Sequence, residues 1–190
     1  MLSFIHLIER NISGKKVLIL FILTNLVYIA MLGVTIPNTM EYAKGMKLLD
    51  MIPTGYDWEY VNELFTNLGE EGRSVYLTNQ IPLDMIYPLL FGASYCLLLG
   101  YFLKKLQKLK SPYSYLCLFP IIAGFSDYLE NIGIIMMLKS FPEISEALVN
   151  ITNTFSITKS VLTSLYFVIL TIVLISFGIQ AIKERTAKAS

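Results

Sequence analysis

Charge is scarce in this chain of 190 residues: only 15% are Asp, Glu, Lys or Arg, where a soluble globular domain carries about a quarter. With 55% hydrophobic residues and a mean hydropathy of +0.60, the composition is that of a polytopic membrane protein. The net charge of +1 gives no footprint for nucleic acid, which is excluded as a partner. Histidine is nearly absent. The single His6 lies outside every long apolar run, so histidine-ligated zinc, a Ser-His-Asp triad and a Cys-His pair are excluded inside those runs. Cysteine is limited to Cys96 and Cys117, both within apolar runs, where free thiols read as small hydrophobes rather than as a redox pair. No repeat and no low-complexity linker divides the chain, so residues 1–190 form one domain. No motif implies a cofactor, and no ligand spacing assigns a metal.

Long apolar runs are what the chain does have. Residues 1–16 carry an apolar cluster from Phe4 to Ile8, followed by Arg10, Lys15 and Lys16, which predicts a short interfacial helix ending in a basic anchor. Residues 17–37 follow as a first span closed by Pro37. About 20 residues at 1.5 Å each match a hydrocarbon core of ~30 Å. The run is long for a signal-peptide core and lacks a small-residue cleavage site, so it reads as a retained span. Further spans are predicted over 81–103, 113–138 and 157–182. Pro88, one turn into the second, is the best kink candidate.

Residues 38–79 form the one sizeable polar insertion, with seven acids against three bases. Within it Trp58, Val61, Leu64, Phe65 and Leu68 recur at helical spacing and stop at Gly69, which predicts a short amphipathic helix lying on a surface. The other charges alternate. Basic residues mark the N-terminus, the connection 104–110 with its four lysines, and the tail from Lys183. The acidic insertion and the connection 139–156 fall on the opposite side. The positive-inside rule then predicts a cell-membrane protein with both termini cytoplasmic and the insertion extracytoplasmic. The fold class is all-α: an antiparallel four-helix transmembrane bundle.

Function is sought where polar groups intrude into these spans. Asp127, Glu130 and Asn131 stand at i, i+3 and i+4, which puts all three on one helix face, with Gly124 one turn away leaving room for a helix or a ligand. Ionisable groups at membrane depth cost at least about 2.5 kcal/mol and usually face a bundle interior or a wet cavity. The predicted orientation puts Asp127 and Glu130 about 20–25 Å from the inner edge, and Asp84 and Tyr87 about 6–10 Å below the outer edge. Lys159, Thr163 and Tyr166, spaced along one face of the fourth span, fall at similar depth. Arg73 is the insertion's basic residue closest in sequence to this layer and is assigned a carboxylate partner there.

These residues predict a polar pocket at outer-leaflet depth. Asp127 and Glu130 are the acid/base candidates, while Asp84, Tyr87, Asn131, Lys159, Thr163, Tyr166 and Arg73 are the ligand-binding candidates. Its occupant would be a lipid-like or amphipathic small molecule drawn from membrane lipid. Two alternatives stand beside it. A small proton- or cation-coupled transporter, acting as a homo-oligomer, needs polar groups along its whole path. A non-catalytic assembly subunit needs every polar group paired. Three acids against one lysine within the spans favour the pocket.

Overall fold

The computed structural model describes residues 2–110 and 112–189. Among them every regular element is helical. Helix α1 covers Leu2–Asn11. Helix α2, Gly14–Met40, begins at Ser13, whose hydroxyl accepts from the Lys16 amide and so satisfies one open helical donor. Helix α3, Trp58–Val75, starts at Asp57, whose carboxylate accepts from the Tyr60 amide. Helix α4 covers Tyr87–Lys105, α5 covers Phe119–Ser140 and α6 covers Glu146–Ala189. Four stretches are long and apolar enough to cross a membrane: Gly14–Met40, Trp58–Lys105, Tyr113–Ser140 and Glu146–Ala187.

Three expectations are corrected in detail. The first span does not close at Pro37. The helix widens into a π turn over Met31–Thr35, in which the Ile36 amide bonds Met31 five residues back, and the chain continues helically to Met40. The same device recurs at Tyr76–Gln80, where the Ile81 amide bonds Tyr76 just before Pro82. A proline cannot donate and crowds the preceding turn, and each π turn absorbs that defect. The insertion helix does break at Gly69, whose φ is 63°, yet it resumes and runs on to Val75. Nor does it lie free on a surface. Val61, Leu64, Phe65 and Leu68 are buried in one cluster with Ile134, Met137 and Val149, so α3 caps α5 and α6.

Contacts fix the helix order. Between α2 and α4, Phe21 meets Tyr95, Thr24 bonds the Leu90 carbonyl and Tyr28 stacks on Tyr87. Between α4, with the short turn Ile81–Asp84 before it, and α5, Asn131 reaches Asp84, Gly124 abuts Pro88 and Gly92 abuts Pro120. Between α5 and α6, Asp127 meets Lys159 and Gly133 abuts Thr152. In every pair one residue number rises as the other falls, so neighbouring helices are antiparallel. The ring is not closed, because α2 and α6 have at most marginal contact with each other. Their apolar windows are only 17% buried, against 50% and 56% for the two central stretches.

Two apolar clusters lie at the two ends of the bundle. One joins the insertion to Ile81, Ile134 and Val149. The other joins α1, through Ile8 and Ile12, to Leu99, Cys117, Tyr166 and Leu170. Asp84, Asp127, Glu130, Asn131 and Lys159 fall between them.

The α4–α5 crossing depends on an absent side chain. A Cβ on Gly124 would stand 2.6 Å from the Pro88 carbonyl oxygen, which is backbone and cannot swing aside. A Cβ on Gly178 would meet nothing within 4 Å. Gly124→Ala is therefore expected to lower the melting temperature in detergent, at a cost of about 1–3 kcal/mol from overpacking. Gly178→Ala should leave it unchanged or raise it, since alanine is the better helix former by roughly 0.5–1 kcal/mol. Equal effects from the two would refute the close crossing.

Candidate functional site

The polar layer is built on α5. Asp127 is 6% exposed, and Glu130 and Asn131 are fully buried, as their shared helical face predicts. Lys159 enters from α6. Its ammonium donates to Asp127 Oδ1 at 3.2 Å and forms an ion pair with Glu130 Oε2. One cation thus bridges two carboxylates one turn apart. Glu130 Oε1 has no hydrogen-bond partner among the described residues. Tyr56, from the turn ahead of α3, is also buried. Burial first, and then the Glu130 charge, push its pKa up, so it presents a neutral hydroxyl.

Asn131 does a different job from its neighbours. Pro88 has no N–H, so the Asp84 carbonyl lacks its helical donor, and the chain breaks between Asp84 and Tyr87. Asn131 Nδ2 donates to that carbonyl at 3.2 Å. A backbone group freed by proline inside an apolar bundle needs such a replacement. The break also turns the Asp84 side chain into the interior, where the residue is 3% exposed and Oδ2 has no partner among the described residues.

A fourth carboxylate comes from the insertion. Asp50 lies in a short 3₁₀ turn, Leu49–Met51. Tyr76 Oη donates to its Oδ1 at 2.8 Å and Gln80 Nε2 to its Oδ2 at 3.1 Å. The Gln80 side-chain oxygen Oε1 in turn accepts from the Thr35 hydroxyl. The two π turns therefore face each other, and together they position Asp50 through neutral donors.

These groups surround a cavity of about 430 Å³, within the usual size range for small-molecule pockets. Its polar wall carries Asp50, Asp84, Asp127, Lys159, Ser160 and Thr163, and its apolar wall carries Met31, Ile36, Met51 and Phe91. Four further lining residues, Tyr28, Leu32, Pro53 and Ser164, are exposed. They mark a mouth between α2 and α6, where the ring is open, with the insertion beside it.

Of the residues predicted for the site, Asp84, Tyr87, Asp127, Lys159 and Thr163 line the cavity. Glu130 and Asn131 stand behind that wall, holding Lys159 and the Asp84 carbonyl. Tyr166 is elsewhere: fully buried among aromatic rings, it donates to the Tyr95 carbonyl at 2.8 Å. Arg73 is turned away as well, donating to the Phe65 carbonyl at 2.8 Å with its guanidinium over the Phe141 ring. It pairs with no carboxylate of the layer. Sequence reasoning passed over Asp50, Tyr28, Ser160 and Ser164. The groups that hold Asp50 did leave a signal, though Asp50 itself did not: Thr35-Ile36-Pro37 and Gln80-Ile81-Pro82 are parallel polar-Ile-Pro steps, each putting a polar side chain at a helix defect.

Among the described residues no group of His, Cys, Asp and Glu is arranged to hold a metal ion. No protein-family model, curated protein or solved structure matches this chain.

If Lys159 neutralises Asp127 and Glu130, removing it leaves buried charge uncompensated. Lys159→Met is expected to cost about 3–5 kcal/mol of stability in detergent unfolding. The triple variant Lys159→Met, Asp127→Asn, Glu130→Gln should regain most of that loss. A triple variant no more stable than the single one would break the ion-pair account.

Proposed function

We propose that this protein spans the membrane four times and binds an amphipathic small molecule in the cavity between its helices. In this reading both termini are cytoplasmic and the insertion lies on the outer side of the cell membrane. The four lysines of residues 104–110 and the acids of the insertion support that orientation through the positive-inside rule. The cavity then lies in the outer half of the bilayer, and its mouth between α2 and α6 opens sideways to lipid.

The observation that carries the reading is the division of the cavity's walls. A carboxylate with an unpartnered oxygen, Asp84, faces the same space as Met31, Ile36 and Phe91. A ligand with a polar head and an apolar body matches both walls, and a sideways mouth lets it arrive from the membrane without crossing water. Asp127 and Glu130 share Lys159, which fits them for holding the wall and not for exchanging protons with a substrate. We therefore read the site as one of binding.

Orientation is tested by reporter fusions: a phosphatase active only outside the cytoplasm should be active when fused after residue 143 and inactive after residue 185. The reverse pattern would invert the assignment. Binding is tested by thermal unfolding in lipid nanodiscs with single-chain amphiphiles. A ligand at a hundred times its Kd should stabilise the folded state by about 2.7 kcal/mol. Ser164→Trp, a large side chain at an exposed position of the mouth, should abolish the effect without lowering baseline stability. Persistence of the shift in that variant would place the ligand elsewhere.

A further inference from the structure

Resting on that binding reading, we infer that the ligand's head is a cation, an amine held between Asp84 and Asp50. The inference comes from charge pairing in the cavity wall. Three carboxylates line the cavity, Asp50, Asp84 and Asp127, with a single ammonium, that of Lys159. That ammonium is already committed: it donates to Asp127 Oδ1 at 3.2 Å and pairs with Glu130 behind it. Asp50 is held by a phenol and an amide, the side chains of Tyr76 and Gln80, which orient the carboxylate without neutralising it. Asp84 keeps an oxygen with no partner at 3% exposure. Arg73, the insertion's one arginine, is engaged with the Phe65 carbonyl and the Phe141 ring. Two carboxylates thus face the cavity without a cationic partner.

A buried carboxylate that lacks a partner either bears the cost of its lost hydration or takes up a proton. An arriving ammonium removes that cost, whereas an anionic head would add to it and a neutral hydroxyl would offset only part. The surroundings fit an amine in detail. Thr163 and Ser160 supply hydroxyl acceptors for further N–H groups, and the aromatic rings of Tyr87 and Phe91 stand in the same wall, a ring type that attracts cations. The ligand's apolar body lies along Met31, Leu32 and Ile36 towards the mouth.

The test uses the full chain in phosphatidylcholine nanodiscs with three amphiphiles that share one tail: dodecylamine, dodecanol and dodecanoate. Dodecylamine should raise the melting temperature at a concentration at least tenfold lower than dodecanol, and dodecanoate should not raise it at all. Asp84→Asn keeps the side-chain shape and should bring dodecylamine and dodecanol to the same potency. Asp50→Asn, at a less buried position, should narrow the gap in the same direction and serves where Asp84→Asn folds poorly. Dodecanol or dodecanoate matching dodecylamine on the unaltered protein, with the shift still abolished by Ser164→Trp, would overturn the cation while the binding reading stands. Stabilisation by Mg²⁺ or Ca²⁺ alone that requires Asp84 would also overturn it, in favour of a metal. No shift from any of the three would remove the binding reading and this inference with it.

Discussion

A largely buried lysine, its side chain 17% exposed, holds the last two helices in register. Lys159 stands on α6 against Asp127 and Glu130 on α5. Sliding either helix by one turn would strand two carboxylates and an ammonium in an apolar interior, where each unpaired charge is worth several kcal/mol. The close packing of Gly133 against Thr152 falls in the same register two turns further on. Electrostatics and packing therefore specify one alignment, and the depth of the remaining polar residues follows from it.

Proline supplies the second constraint, and the two act together. Pro37, Pro82 and Pro88 each remove a backbone donor, and each defect lies within or at the edge of the polar layer. At Pro37 and Pro82 the chain answers with a π turn, a form that recurs at functional positions, and the two turns join through Thr35 and Gln80. At Pro88 the answer is an Asn131 side chain from another helix. Regular helices would point Asp84 and Gln80 wherever their periodicity dictates. The breaks let the chain aim Asp84 into the cavity and bring Gln80 onto Asp50, so the defects shape the site.

Much of this was legible in the sequence because it is periodic. The four apolar stretches, the shared face of Asp127, Glu130 and Asn131, and the burying face of Val61, Leu64, Phe65 and Leu68 all follow from counting residues along a helix. What was not legible depends on where non-helical backbone goes. Asp50 reaches the site only because the insertion folds back on α4 and α5, a path no spacing encodes. Arg73 looked like a partner for a carboxylate, yet it is engaged nearer home. Gly69 breaks α3, carbonyls in the turn before a break run short of helical donors, and Arg73 takes the one at Phe65. Tyr166 shares a helical face with Lys159 and Thr163, but it lies one turn deeper, where aromatic packing replaces polar lining. Helical phase gives direction without depth, and depth decided its role.

The closed end of the bundle bears on what the cavity can do. Below the polar layer, Phe91, Tyr95, Leu99 and Cys117 pack with Tyr166, Leu170 and Val173, and α1 folds beneath them with Ile8 and Ile12 buried. Gly100 admits Ile8 so closely that a Cβ there would stand 2.7 Å from its side chain. A path for an ion through this region would need water or polar groups to replace hydration, and here side chains fill the interior with apolar contacts. The buried charged groups end where the aromatic cluster begins. In the proposed reading, a cavity open between α2 and α6 over a packed floor suits a molecule that enters from the membrane and leaves the way it came. That geometry favours a receptor-like or substrate-holding role over conduction. In that reading the buried charged residues lie in one layer, where a conduction path would distribute them along the helices.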